Sequence, residues 1–182
     1  SVADIGDYYY AANQGALAVV PGRGDGTFGP PAFPGDYVNS KPAYVAIGDY
    51  DRDGDEDLAV ANSGAGTVTL HFGDGRGVFR DPDLASTYSA GDAPVWVATG
   101  DLDDDGALDL VVADAGGDGI TGPREGSVAV LLGAGDGTFR PAPTIPIPGI
   151  ANSVALGDLD GDGDEDLLVA DGGSIDRVLV FS

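Results

Sequence analysis

Three segments of this chain are copies of one another: AIGDYDRDGDEDLAVAN from Ala46, ATGDLDDDGALDLVVAD from Ala98 and ALGDLDGDGDEDLLVAD from Ala155. A second element recurs with them, as GRGDGTF (22–28), GDGRGVF (73–79) and GAGDGTF (133–139). The first Asp of the acidic segment advances by 52 and then 57 residues (49, 101, 158). The Phe of the glycine element advances by 51 and then 60 (28, 79, 139). Two motifs moving together define one repeated supersecondary unit of about 50–60 residues, and such units bury their apolar faces by stacking on their neighbours.

The pattern inside each unit is β. AYVAI (43–47), VWVAT (95–99) and SVAL (153–156) lead into the acidic segments, and DLAVAN, DLVVAD and DLLVAD follow them. TVTLHF (67–72), SVAVLL (127–132) and RVLVF (177–181) come next, alternating or continuously apolar as strands do. A fourth short strand is expected to start at the Phe of the glycine element. Nothing reads as a long amphipathic helix. Four short strands per repeat joined by Gly/Asp turns predict an all-β chain of four-stranded antiparallel β-propeller blades.

The expected organisation is a single domain over residues 1–182, with repeats at approximately 1–40, 41–91, 92–150 and 151–182. In the first repeat SVADIGDYYYAAN runs from strand one to strand two without a metal loop, and the fourth repeat is truncated. Ser1 at the start and the absence of Met suggest a processed or excised segment. Closure is open between one small ring, a head-to-tail homo-oligomer that completes the ring, and a piece of a longer propeller.

Like charge is concentrated in the acidic segments. Asp49, Asp51, Asp53, Asp55 and Asp57 alternate over nine residues. Carboxylates at loop positions 1, 3, 5 and 9 are Asp49, Asp51, Asp53 and Asp57 in the first loop, and Asp101, Asp103, Asp105 and Asp109 in the second. In the third they are Asp158, Asp160, Asp162 and Asp166. Gly54, Gly106 and Gly163 hold position 6, where a sharp turn lets alternate side chains converge. Position 7, occupied by Asp55, Ala107 and Asp164, would supply a backbone carbonyl, since Ala serves there as well as Asp. All-oxygen ligation in a flexible loop favours Ca²⁺ over octahedral Mg²⁺, which predicts about three structural calcium sites. An EF-hand would need Glu at position 12, where Val60, Val112 and Val169 stand inside strands.

DxDxDGxxDLxVAN followed by GxGDGTF resembles the FG-GAP/VCBS repeat, the unit of integrin α-subunit head propellers and of many large bacterial and fungal surface proteins. The resemblance covers nearly all of the chain. It implies a propeller whose acidic loops join two strands of a blade and hold calcium, and a surface, adhesion or lectin-like module with a protein or glycan ligand. Most members have seven blades.

Thirty-one acidic residues against eight Lys and Arg give a net charge of −23. Nucleic acid and anionic membrane surfaces, which need basic patches, are therefore not expected partners. No apolar run approaches the ~20 residues of a membrane-spanning helix, so no membrane insertion is expected. There is no cysteine and hence neither a disulfide framework nor a thiolate metal site. The expected location is outside the cytoplasm, secreted or at the cell surface, where millimolar calcium keeps such loops filled.

No nucleophile elbow, phosphate-binding loop, HExxH or Ser/His/Asp arrangement can be drawn, and the clustered carboxylates belong to metal loops, so no catalysis is expected. His71, the only histidine, reads as a structural strand residue. Arg23-Gly24-Asp25 spells an adhesive tripeptide but lies in register with Ala134-Gly135-Asp136, and so reads as a turn. Two features could carry binding. One is the longer loop 114–127, where the preceding repeat has only NSGAGT (62–67). The other is the aromatic set Tyr8, Tyr9, Tyr10, Tyr37, Tyr44, Tyr88 and Trp96, in which Tyr44 and Trp96 share a column of the repeat and inter-blade packing is the expected use. The expected function is a calcium-stabilised extracellular scaffold. The alternative is an accessory, non-catalytic propeller of a larger secreted enzyme.

Overall fold

The computed structural model of the chain describes residues 17–33, 41–80, 86–117, 125–172 and 177–181. Tyr8, Tyr9, Tyr10, Tyr37 and residues 118–124 of the longer loop lie outside them. The described residues form antiparallel sheets and no α-helix, hence no helix long and apolar enough to cross a membrane. The first sheet holds β1 (Pro42–Gly48), β2 (Asp57–Asn62), β3 (Thr67–His71) and β4 (Thr87–Ser89) in that order. The second holds β5 (Pro94–Gly100), β6 (Asp109–Asp114), β7 (Gly126–Gly133) and β8 (Phe139–Pro141), with β9 (Ile145–Ile147) also on β7. The third holds β10 (Ala151–Gly157), β11 (Asp166–Asp171) and β12 (Arg177–Phe181).

The repeat read in the sequence is also a repeat of register. Gly48 pairs with Asp57, Gly100 with Asp109 and Gly157 with Asp166, so each acidic loop leaves its sheet at the same rung. One irregularity recurs as well, between Pro42 and Tyr44, Pro94 and Trp96, and Ala151 and Ser153. An extra residue there adds local twist to the first strand of every sheet. The fourth strand departs from expectation. In the second sheet it begins at Phe139 as β8 on the far half of β7, and resumes as β9 on the near half. In the first sheet Phe79 makes only a single bridge, to Gly73, and the ladder forms later as β4.

The glycine elements are one hairpin in three copies. Gly22, Gly73 and Gly133 bridge Phe28, Phe79 and Phe139. Arg23, Asp74 and Ala134 donate backbone N–H bonds to the carbonyls of Thr27, Val78 and Thr138 at 3.0, 3.1 and 2.9 Å. Two glycines per turn take positive φ, for example Gly135 (68°) and Gly137 (80°), which the missing Cβ allows at little cost.

The sheets stack face to face. All six residues of β2 and of β6 are buried, because both faces of each central strand are covered. Ala59, Ala61, Val68 and Leu70 pack with Leu110, Val112 and Leu131 between the first and second sheets. Val111, Ala113 and Val128 pack with Val154, Leu167 and Val169 between the second and third. On the other side, Leu58 and Val60 pack against Leu17, with Val19 and Phe79 beside them. Each fully buried Val or Leu contributes roughly 1.5–3 kcal/mol of apolar transfer, so the stacking of the sheets supplies the core.

Candidate metal centres

Each acidic loop is organised by its first Asp. Asp49 Oδ1 and Oδ2 accept the N–H groups of Asp53 (3.2 Å) and Gly54 (3.0 Å). Asp101 accepts those of Asp105 (3.1 Å) and Gly106 (2.9 Å), and Asp158 those of Gly161 (2.7 Å) and Gly163 (3.2 Å). Gly54, Gly106 and Gly163 have φ of 92°, 81° and 102°, so position 6 makes the left-handed turn that its Gly implies. Position 4 is left-handed too, at Arg52 (59°), Asp104 (56°) and Gly161 (83°). Only the Gly of the third copy hinted at that.

Position 9 is the base of the loop. Asp57 and Asp109 are fully buried and Asp166 nearly so. Their Oδ2 atoms accept the N–H of Tyr50 (3.0 Å), Leu102 (2.7 Å) and Leu159 (2.7 Å). Asp57 Oδ1 accepts from Gly73 N–H (2.8 Å) and Asp109 Oδ1 from Gly133 N–H (2.7 Å), which ties the acidic loop to the glycine hairpin of its own sheet. Burial raises the Asp57 and Asp109 carboxyls above the ordinary range, with these N–H bonds opposing it. Asp51 is raised as well, first by burial and then by the charges of Asp53 and Asp49.

The carboxylates converge. One oxygen from each of Asp49, Asp51 and Asp53 lies within 4.8 Å of the others. The same holds for Asp101, Asp103 and Asp109, and for Asp158, Asp160 and Asp166. Positions 1 and 3 thus enter every trio, and the third member is position 5 in the first loop and position 9 in the other two. Asp57, Asp105 and Asp162 stand outside the trio of their own loop. At position 7 the N–H of Asp55, Ala107 and Asp164 donates to the position-5 carboxylate, at 2.9, 2.7 and 3.0 Å. Three carboxylates this close repel by on the order of 1 kcal/mol per pair even at the dielectric of water. An all-oxygen set on a turned loop fits a hard divalent cation and does not fit a soft one.

A further column, of one Asn and two Asp, went unread in the sequence. Asn62, Asp114 and Asp171 end β2, β6 and β11 and are buried. Asp114 accepts from Ala93 N–H, Gly116 N–H and Ser127 Oγ, and Asp171 from Ile150 N–H and Arg177 Nε (2.9 Å). They fasten strand ends; the Asx closing each VAN/VAD run was their signal.

The other candidates resolve locally. Tyr44 and Trp96 stack across the first and second sheets with centroids 4.0 Å apart. Tyr88 meets Phe139 edge-on and its hydroxyl accepts Phe139 N–H. His71 is fully buried in β3. Asp25 accepts from Thr27 N–H and Oγ1 as Asp136 does from Thr138, so the Arg23-Gly24-Asp25 stretch adopts the same turn as its repeat partner.

Fold and loops together define a repeat protein of stacked antiparallel sheets, each carrying one acidic loop at a fixed rung. A family profile described as FG-GAP-like repeat matches residues 5–60, 49–112 and 113–169. Its matches end at Val60, Val112 and Val169, the same position of each acidic loop. The chain belongs to the FG-GAP-like repeat family. Comparison with curated proteins gives no match.

Proposed function

We propose that the three sheets are consecutive blades of a β-propeller, and that their acidic loops are structural calcium sites in a rigid binding scaffold that works outside the cytoplasm. The observation that carries this is the recurrence of one loop, at one rung, with the same organising Asp and a convergent carboxylate trio in all three copies. β1, β5 and β10, through which adjacent sheets approach one another, would lie nearest the propeller axis. Asp49, Asp51 and Asp53, then Asp101, Asp103 and Asp109, then Asp158, Asp160 and Asp166 would hold the cations. When bound, calcium supplies the positive charge that cancels the repulsion within each trio. The chain's own part is to fix the loop: the position-1 Asp turns it, and in the first two loops the position-9 Asp anchors it to the glycine hairpin. On this reading the blades display a ligand-binding surface, of a protein or a glycan, and perform no catalysis.

Titration calorimetry on the chelated chain tests the metal reading. Close to three calcium ions should bind per chain, with magnesium much weaker. Absence of calcium binding, or magnesium binding equally well, would overturn it. A glycan array probed with the calcium-loaded chain then separates a glycan ligand from a protein one.

A further inference from the structure

The first and second acidic loops share one turn but differ in the charge around them. The first carries six acidic residues over positions 1–9 and the second carries five. Ala107 and Leu108 stand in place of Asp55 and Glu56, and Asp104 in place of Arg52. Two guanidinium groups also lie against the second loop. Arg140 of β8 places its Nη2 atom 3.5 Å from Asp103 Oδ2. Arg52 reaches over from the first loop, its Nη2 atom 3.2 Å from the Asp105 carbonyl oxygen and 3.6 Å from Oδ1. They meet loop positions 3 and 5. Asp103 belongs to the convergent trio, and Asp105 holds position 7 by accepting the Ala107 N–H.

The Arg52 guanidinium has a seat in the second sheet, between two glycines. A Cβ on Gly135 would come within 2.6 Å of its Cζ and Nε atoms, and one on Gly106 would lie 3.4 Å from Nη2. The equivalent glycines of the first sheet receive no cation. A Cβ on Gly54 meets nothing within 4 Å, and one on Gly75 would strike the Asp55 carboxylate. Arg80, the repeat equivalent of Arg140, lies over the Phe72 ring instead, 5.5 Å from its centroid. It acts on the Asp51 carboxyl less than the neighbouring Asp53 and Asp49 do.

We propose that Arg52 and Arg140 set the calcium affinity of the second loop and keep it below that of the first. One chain thus holds two calcium sites tuned to different concentrations, and a residue of the first loop acts on the second. The inference rests on the calcium reading of the loops and adds what regulates them. A guanidinium against a ligand carboxylate shares the charge of its oxygens and repels an incoming cation, and Arg keeps its charge at every pH at which the carboxylates are ionised. A unit charge facing a divalent ion from about 6 Å changes its affinity roughly threefold to tenfold in water at moderate salt.

Heteronuclear NMR on the whole chain, titrated with calcium out of EDTA, tests it. The probes are the position-6 amides, Gly54 and Gly106, each of which donates to the first Asp of its own loop. Gly106 should reach half-saturation at a calcium concentration at least threefold above that of Gly54. Arg140→Gln should lower the Gly106 midpoint about threefold to tenfold and leave Gly54 within about twofold. Arg140→Lys, which retains the charge, should stay close to the unaltered chain. Arg52→Gln should move Gly106 in the same direction as Arg140→Gln, and Arg80→Gln should leave it in place. The Arg140 and Arg52 side chains are 70% and 46% exposed, so circular dichroism of the variants should be unchanged. Equal midpoints at the two glycines would overturn the proposal. So would a higher Gly106 midpoint in Arg140→Gln, which would make the guanidinium an organiser of the ligands. If neither amide responds to calcium, the metal reading fails and this inference with it. A response at both amides that neither arginine alters removes this inference alone.

Discussion

Arg52 of the first acidic loop reaches across to Asp105 of the second, with its Nη2 atom 3.2 Å from the Asp105 carbonyl oxygen and 3.6 Å from Oδ1. The two loops are 53 residues apart in sequence and belong to different sheets. The bridge closes over Gly135, where a Cβ would strike the guanidinium. Arg52 does this from a left-handed backbone, φ 59°, that costs a non-glycine residue roughly 1–2 kcal/mol. An exposed ion pair returns only about 0.2–1 kcal/mol. Arg52→Ala, which keeps the strain and loses the bridge, should therefore lower stability by about 1 kcal/mol. Arg52→Gly removes both and should be neutral or slightly stabilising. Urea denaturation of the two variants checks this, and equal losses in both would show that the backbone at position 4 is not strained.

The acidic positions are not equivalent, and two substitutions separate them. Asp57 uses both oxygens on buried backbone donors, Tyr50 N–H and Gly73 N–H. In Asp57→Asn one of those donors faces an amide NH₂, and leaving a buried group unpaired costs about 1–3 kcal/mol. That loss should appear in EDTA as fully as in calcium. Asp51→Asn removes a charge from a repelling trio, so the chelated protein should be unchanged or slightly stabilised while calcium binding at the first loop falls by at least tenfold. Thermal melts with and without chelator distinguish the pair of outcomes. Similar behaviour of the two variants in EDTA would remove the distinction between anchor and ligand.

That distinction marks the limit of what the sequence disclosed. Period, strand order and the placing of acidic loops between first and second strands were legible because each is a one-dimensional pattern repeated three times. Tyr44 and Trp96 could be aligned for the same reason. What alternation could not reveal is direction. Asp49, Asp51 and Asp57 look alike as i, i+2 and i+8, yet the first turns the loop, the second faces the cluster and the third is pulled inward by N–H groups on two segments. Arg52 is likewise invisible as a bridge, since its partner lies in another repeat. Asp114 and Asp171 were passed over because, at strand ends, they resembled ordinary turn residues.

Trp96 offers an internal probe. It is the only tryptophan, it stacks on Tyr44 of the preceding sheet at 4.0 Å with 25° between rings, and it touches the cluster that joins the second and third sheets. Its environment therefore depends on both inter-sheet contacts. Trp→Ala in a well-packed site costs about 3–5 kcal/mol; Trp96 is only partly buried, so a loss of about 2–4 kcal/mol is expected. In the unaltered chain, unfolding should shift its emission to the red in a single transition that coincides with loss of β-sheet circular dichroism. Two separated transitions would mean that the sheets come apart before they unfold.

Chelation tests how far the loops carry the fold. If each site binds calcium near 10 μM and free calcium is about 1 mM, occupancy adds on the order of 2.7 kcal/mol per site. Three sites would then match the whole stability of a typical domain, ~5–15 kcal/mol. EDTA should therefore lower the melting temperature by well over ten degrees, given about 2–4 °C per kcal/mol at this size. The metal-free chain should regain stability as NaCl is raised, because salt screens the repulsion among the clustered carboxylates of each trio. Calcium-loaded protein should respond much less to the same salt, since its trios are already neutralised. A melting temperature indifferent to EDTA would show that stacking of Val111, Val128 and Leu110 against their neighbours suffices by itself, and that the acidic loops are solvated turns.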